Sequence, residues 1–449
     1  MKPAPAILVL GVLFQSAAVA YAQPQVQAQA PPERRLTIDP QGPTVDGPWG
    51  LSLSGFQGFD ASNSKSLQGV PGTSVSGSNT GETVRLKLRR GGQKSGYTFD
   101  AGHTLIYFPR DSSLLSDTDI GTSQWYKIGR DTTISAGETA NRSPYYTIGG
   151  FPGIGNFSGT DLSQPFAPTL ASGGQTTGMY RFTVETKVAH VIDTRNSIQA
   201  TYNVTGTGVT GVTGVPSRSV IHEVGGRYTH FINRTIGYHL GYSFGNSHFG
   251  GVSPTVLHNI DVGLDIRKTL SLTRRTTFSF TTGTTFIKAN PVNTAVAIGV
   301  TKEFNVLGRA VLTHYIGQTW SAAATYDRGW QMLDAVQVPY FVDGVTTAIG
   351  GNLGRRSTLA FSTAWMLGAP LGIYSATKDR ALIESAWFQF SLSRKLTAYA
   401  QYTFYGQRFT LDGLSAIDLP QRFNRNTARL GLTLVLPRAQ TAPRQPPVR

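Results

Sequence analysis

The charged residues of this sequence recur at spacings of two and four. Arg85, Lys87 and Arg89 alternate with Val84, Leu86 and Leu88, while Arg181, Glu185 and Lys187 are interleaved with Tyr180, Phe182, Val184 and Val188. Glu223 and Arg227 lie four apart, and Asp261, Asp265 and Arg267 interrupt the apolar series Ile260, Val262, Leu264 and Ile266. Side chains two apart on a β-strand share a face, so each set presents a row of charge on one side and an apolar row on the other. In a sheet closed on itself, such rows would line a wet interior, where rings of fixed charge select among solutes. Asp100, Asp327 and Arg429 extend the rows. Two readings stay open: a cationic stripe from the Arg85 and Arg181 strands that favours anions or acidic glycans, or a salt-bridged filling that keeps a closed barrel rigid.

Other chemistry finds no support in the residues. The chain has no cysteine, so disulfides, thiol nucleophiles and cysteine zinc sites are excluded. The eight histidines, at 103, 190, 222, 230, 239, 248, 258 and 314, include no His-x-x-x-His with a nearby carboxylate, so neither a metal site nor a cofactor is expected. Ser247-His248 and Ser253 are neighbours in a polar stretch without an orienting group, which does not make a catalytic constellation. The run Gly206 to Gly214 has no lysine and no following helix, so it is no phosphate loop. An enzyme is not expected. The net charge of +15 raises nucleic acid as a partner, but the cations recur singly or in twos and threes along the chain and form no cluster on a helix. Nucleic acid is therefore not expected either.

The elements that must position these rows are strands. Charged residues are 14% of the chain, against about 25% in typical soluble domains. Mean hydropathy is -0.14, too polar for a bundle of membrane helices. A membrane barrel reconciles the two values, because alternate residues of each strand face lipid and the others face water. Period-two alternation recurs in Thr427 to Leu436, Leu396 to Phe404, Phe278 to Phe286 and Ile260 to Arg267. Short turns near Asp193 to Arg195, Ile232 to Arg234, Ser271 to Arg275, Gly317-Gln318, Gly354 to Arg356 and Arg394-Lys395 alternate with longer connections rich in Gly, Asn, Ser and Pro. Aromatics near strand ends, among them Trp49, Tyr97, Tyr107, Phe108, Phe231, Trp320 and Trp365, fit two interfacial girdles, while Trp387 is expected to point inward.

The expected fold class is therefore all-β: a transmembrane antiparallel up-and-down barrel of about sixteen strands with both termini on the periplasmic side. Residues 1–22 read as a signal peptide, with Met1-Lys2, the apolar stretch Ala6 to Phe14 and cleavage after Ala20-Tyr21-Ala22. Residues 23–47 read as a mobile leader rich in Pro and Gln, 48–437 as the barrel and 438–449 as a disordered tail. The connection 109–177 is the longest, and it contains Asp111, Asp117, Asp119, Asp131 and Glu138. It is expected either to fold into the lumen, setting these acids against Arg85, Lys87 and Arg181 as a constriction, or to cap the mouth from outside.

Two stretches resemble known sequences. Arg429-Leu430-Gly431-Leu432-Thr433-Leu434-Val435-Leu436 is similar to the C-terminal signal read by the outer-membrane assembly machinery, with Arg429, Gly431, Leu434 and Leu436 at its marked positions; it ends in Leu436 where the usual form has an aromatic. Gly317-Gln318-Thr319-Trp320-Ser321-Ala322, Tyr326-Asp327-Arg328-Gly329, Phe341-Val342-Asp343 and Leu353-Gly354-Arg355-Arg356 resemble the β-barrel porin families of exopolysaccharide-producing bacteria. The resemblance implies an outer-membrane barrel of a Gram-negative-type cell, reached by export, with outer-membrane lipid and the assembly machinery as partners. Together with the charged rows it leads to the expectation of a porin-like channel or export conduit for small anionic solutes or polysaccharide. The alternative is a closed structural or adhesive barrel that binds a partner through its extracellular loops.

Overall fold

The computed structural model describes residues 49–62, 77–92, 94–110, 112–143, 178–210, 218–249, 252–270, 275–289, 301–317, 319–332, 339–370, 379–408 and 422–436. The expected segments 1–22, 23–47 and 438–449 lie outside the described residues.

The described chain is one antiparallel sheet of eighteen strands. In chain order these are β1 (Trp49–Ser62), β2 (Gly77–Gly91), β3 (Ser95–Phe108), β4 (Ser113–Ile128), β5 (Thr132–Ser143) and β6 (Gly178–Val191). They continue with β7 (Asn196–Thr210), β8 (Arg218–Phe231), β9 (Ile236–Phe249), β10 (Val252–Thr269), β11 (Thr276–Ala289) and β12 (Thr301–Ile316). The last six are β13 (Trp320–Met332), β14 (Pro339–Asn352), β15 (Ser357–Pro370), β16 (Asp379–Ser391), β17 (Leu396–Arg408) and β18 (Arg422–Leu436). Each strand pairs with its neighbours in sequence, and β1 also pairs with β18 through the register Ser54↔Thr433. The sheet thus closes on itself and leaves no edge strand exposed to another chain.

Eighteen strands replace the expected sixteen because the connection 109–177 contains a hairpin, β4 and β5. Its alternation is hidden in the sequence. The β4 face that continues the outer apolar rows carries Ser116, Thr118, Thr122 and Gln124 among Leu114, Ile120 and Tyr126, and that of β5 carries Glu138 and Arg142 beside Ile134. Polar residues on the side that elsewhere is apolar erase the period-two signal. The even strand count keeps both ends of the described chain, Trp49 and Leu436, at the end of the barrel where the short turns lie.

Those short turns have a common chemistry. The side chain of Asp193 accepts hydrogen bonds from the backbone of Arg195 and Asn196 at 2.7 and 2.9 Å. Asn233 does the same for Thr235 and Ile236 at 2.8 and 2.9 Å, and Ser393 for Lys395 and Leu396 at 3.2 and 3.0 Å. A short polar side chain at this position closes a turn by satisfying backbone donors that the strands leave over. Gly129 and Gly317 provide the positive φ that two other turns require.

The register decides which face is which. Arg85 on β2 reaches Asp119 on β4, and Arg227 on β8 reaches Asp265 on β10, each across an intervening strand. Side chains two strands apart converge only on the concave side of a curved sheet, so these rows face the interior. The opposite face carries large exposed apolar side chains all around, including Leu53, Val84, Ile120, Val188, Val224, Leu240, Ile260, Leu312, Phe361 and Leu430. Trp49, Tyr97, Tyr107, Trp320 and Trp365 lie on this outer face, as the girdle reading expects. Phe108 and Phe231 do not: both share register with the interior set, and Phe108 is buried against Phe56 and Ile106.

Candidate functional site

The interior holds several groups of paired charge, and a further pair, Arg328 with Asp343, lies on the outer face at 3.1 Å. Register places all of Arg85, Lys87, Arg89, Arg181, Glu185, Lys187, Glu223, Arg227, Asp261, Asp265 and Arg267 on the concave face. They do not form one ring. They form separate clusters with different degrees of pairing.

The densest cluster spans β8, β9 and β10. Nη2 of Arg227 donates to both carboxylate oxygens of Asp265 at 3.0 Å, and its Nη1 lies 3.9 Å from Asp261. Between the two carboxylates sits His239, 1% exposed, with Nδ1 2.9 Å from Asp265 and Nε2 3.2 Å from Asp261. Nη2 of Arg227 is also 2.7 Å from that Nδ1. One nitrogen cannot donate to Asp265 and accept from Arg227 at once, so this contact and the Asp265 bond are alternatives. The cluster exists because the strands beside it lack side chains where it needs room. A Cβ at Gly283 on β11 would come within 1.9 Å of Asp261 Oδ1, so any larger residue would push Asp261 off His239.

A second cluster spans β2, β3 and β4. Arg85 donates through Nε to Asp100 and through Nη2 to Asp119 at 3.1 Å, and Lys87 lies 3.6 Å from Asp100. Gly102 on β3 is the gap through which Arg85 and Asp119 meet, since a Cβ there would stand 2.5 Å from Asp119 Oδ1. The cationic stripe expected on Arg85 and Lys87 is thus offset by acids from the adjacent wall. On β6, Glu185 is within electrostatic range of Lys187 and of Glu223. Arg89 and Arg267 stand exposed at the short-turn end, and on β12 and β13 Arg309 faces Asp327 at 3.5 Å.

The constriction expected from an acidic loop takes another form. Asp117 and Asp119 do face inward, and Asp119 does meet Arg85, but both belong to the wall strand β4. Asp131 lies in the short turn between β4 and β5, Glu138 is on the outer face of β5 opposite Val184, and Asp111 lies outside the described residues. The reason is the one given for strand number: this segment is wall, so its acids are fixed in register.

A third cluster closes the seam between the first and last strands. Asp60, 0% exposed, accepts from Arg425 Nε and Nη2 at 3.2 and 3.1 Å, from Thr427 Oγ1 at 2.5 Å and from Asn79 Nδ2 at 2.8 Å. Arg429 faces inward nearby, its guanidinium 4.7 Å from the Phe56 ring centre. Gly431 also faces inward, where a Cβ would meet the Tyr399 ring at 2.6 Å, whereas Leu434 and Leu436 fall on the outer face. The proposed insertion-signal positions therefore also pack the barrel seam.

The arc formed by β14 to β17 differs. Its inward positions hold Val342, Thr346, Ala348, Ala364, Met366, Ile383, Trp387 and Tyr399, with no charged side chain among the described ones. Trp387 points inward as expected and stacks on Tyr399 at 4.9 Å between ring centres. Val342, Met366, Tyr405, Asp60, Asn79 and Phe108 are all buried and all lie in the half nearer the long connections. Side chains covered to that degree have no water against them, so the wall is tightly packed at these positions.

His239, Asp60, Asn79 and Arg425 escaped the sequence reading. A lone histidine between glycine-spaced polar residues carries no motif; the available signal was Gly237, Gly241 and Gly245, which leave room on the face that His239 shares. Among the described residues no group of three potential ligands is placed to hold a metal ion.

No family model matches the chain, and no curated protein matches it. Solved structures do. The chain is similar to the ferric-catecholate import receptor Fiu of E. coli K12 at 9% identity, TM-score 0.41, covering 88% of this chain and 82% of that one. It is similar to the FrpB iron transporter of Neisseria meningitidis at 8% identity, TM-score 0.42, covering 87% and 82%. It is also similar to OccK5 of Pseudomonas aeruginosa at 12% identity, TM-score 0.38, covering 86% and 98%.

Proposed function

We propose that this chain is an outer-membrane barrel of a Gram-negative-type cell that acts as a porin-like channel or export conduit for small solutes or polysaccharide. One observation carries the reading: large apolar side chains stand exposed on outer faces around the barrel, Leu430 at 66%, while most ion pairs are inside. The polar outer face of β4 and β5 and the outward Arg328–Asp343 pair are the interruptions. A water-soluble protein rarely exposes a continuous apolar surface of more than a few hundred Å², whereas a barrel in lipid requires one. Export by a signal peptide over residues 1–22, insertion by the assembly machinery through Arg429 to Leu436 and periplasmic termini belong to the same proposal. The lumen offers a cargo two unlike walls, one of paired charges and one of uncharged small and aromatic side chains. That suits a solute with both hydroxyl-rich and apolar faces better than a bare inorganic anion.

A second reading is favoured by the buried inward side chains near the long connections and by the ion pairing of Arg85 and Arg227: a barrel closed at rest, serving as a structural or adhesive element. Planar-bilayer recording of the refolded full chain separates the two. Discrete, reproducible conductance steps are expected for the channel, and silence from protein shown to be folded and inserted would leave the closed barrel. A chain that stays monodisperse in buffer without detergent would defeat both.

A further inference from the structure

The fold collects at one rim what the sequence scatters. Of the eight turns at the end of the barrel that holds Trp49 and Leu436, seven carry or adjoin at least one Lys or Arg, the exception being Gly317-Gln318-Thr319 between β12 and β13. The pattern repeats in type and order: Ile128-Gly129-Arg130, Ile192-Asp193-Thr194-Arg195, Ile232-Asn233-Arg234, Leu353-Gly354-Arg355-Arg356 and Leu392-Ser393-Arg394-Lys395. Each begins with an aliphatic residue that continues the outer face of its strand, and each then supplies one or two exposed cations. The aliphatic residues are 47–56% exposed. Lys94 and Arg275 place exposed cations in two more turns.

Acids on this rim are few. Among its described turn residues they are Asp131 and Asp193, and the Asp193 carboxylate is used up in its own turn by Arg195, Asn196 and the Asn196 amide, the last at 2.6 Å. Those hydrogen bonds, the Asn196 side-chain amide foremost, hold it below the ordinary carboxylate range. Two of the long connections have the opposite composition, whereas 63–76 and 371–378 each contain one lysine and no acid. Residues 144–177 contain a single charged residue, Asp161, and 409–421 contain Asp412 and Asp418 without a cation.

We infer that the short-turn rim is a docking surface for anionic phospholipid headgroups, which it binds as a continuous shell around the barrel. This rests on the membrane-barrel reading above. Three features favour a lipid leaflet over a soluble acidic partner. The cations encircle the barrel, as a surrounding leaflet would require, whereas a protein partner needs one sector. In five of the turns the cation follows an outward aliphatic side chain by two or three residues, which puts it just beyond the hydrocarbon, at the depth of the phosphates. Arginine predominates, and its forked guanidinium matches the phosphate oxygens. The rim carries many cations with weak individual affinity, so the expected behaviour is a salt-sensitive enrichment of anionic lipid.

The test uses the full chain refolded into vesicles of phosphatidylcholine alone or with phosphatidylglycerol, with spin-labelled lipids reporting which headgroup is held at the protein surface. Phosphatidylglycerol is expected to be preferred over phosphatidylcholine by about threefold or more at low salt, falling towards parity at 1 M salt, in line with the attraction of basic segments to anionic leaflets. A variant with Arg355→Gln, Arg356→Gln, Arg394→Gln and Lys395→Gln should lose a clear part of that preference, and the Arg356→Lys, Arg394→Lys variant should keep most of it. Equal association of both lipids with inserted wild type, or a preference unchanged in the four-Gln variant, overturns the inference and leaves the barrel reading standing. Refusal to insert into either vesicle defeats the barrel reading itself. A four-Gln variant that holds lipid normally but loses block by alginate added at the short-turn side would overturn lipid docking and reassign the rim to an acidic cargo.

Discussion

The arc from β18 through β1 to β13 and the arc from β14 to β17 are built from the same strand geometry, yet they fill the interior in opposite ways. In the first, charge meets charge through gaps: Arg85 passes Gly102 to reach Asp119, and Asp261 leans over Gly283 to reach His239. In the second, volume fills volume, with Met366, Val342 and Ile383 buried beside alanines. A charged wall depends on each partner being present, because a buried ion that loses its counter-ion keeps its desolvation cost. An apolar wall depends on size, and it degrades with the cavity left behind. The two arcs should therefore respond differently to the same class of substitution.

The sharpest separation is at Asp60. Asp60→Ala removes the buried carboxylate that Arg425, Thr427 and Asn79 share and should cost about 3–5 kcal/mol, read as a lower midpoint in urea unfolding from lipid vesicles. Asp60→Asn keeps the shape and should recover part of that loss. A cost below about 1 kcal/mol for the alanine variant would mean that water reaches the seam and that its pairing resembles a surface ion pair. Met366→Ala in the uncharged arc should follow at about 2–4 kcal/mol through cavity formation, with ion selectivity unchanged. A selectivity change there would show that the uncharged wall lines the path of ions.

Much of this comparison was legible in the sequence, and the reason it was only partly so is physical. Alternation exposes a strand when one face is uniformly apolar, which is why Arg85 to Arg89, Arg181 to Lys187 and Asp261 to Arg267 could be assigned to the interior before any coordinates. It fails where both faces are mixed. Glu138 and Arg142 on the outer face of β5 made wall look like loop, and Asp117 and Asp119 were read as constriction residues for that reason. Pairing is a property of register, and register is not local: that Asp100 and Asp119 would neutralise Arg85 depends on how β2, β3 and β4 align. The basic rim is the extreme case, because Arg130, Arg195, Arg234, Arg356 and Arg394 are separated by 38 to 122 residues in sequence and share only the end of the barrel at which their turns lie.

The smallest expected effect on stability carries the most information about function. Arg227→Leu removes the one guanidinium shared by Asp265, Asp261 and His239, and its half-exposed setting limits the loss to about 1–3 kcal/mol. The wall would then hold two carboxylates bridged by His239, with Thr281 also donating to Asp265, and its local charge would fall by one. If ions pass along this wall, the reversal potential measured across a salt gradient should move towards cation preference, because fixed charge at a pore wall sets which counter-ion enters. Arg227→Lys should keep the charge but not the two-oxygen grip on Asp265, so it should restore selectivity without restoring stability. A selectivity identical in wild type and Arg227→Leu would place the cluster off the conduction path and assign it to holding β8, β9 and β10 in register. In that case the charged arc would be scaffold, and the transport reading would have to rest on the uncharged arc alone.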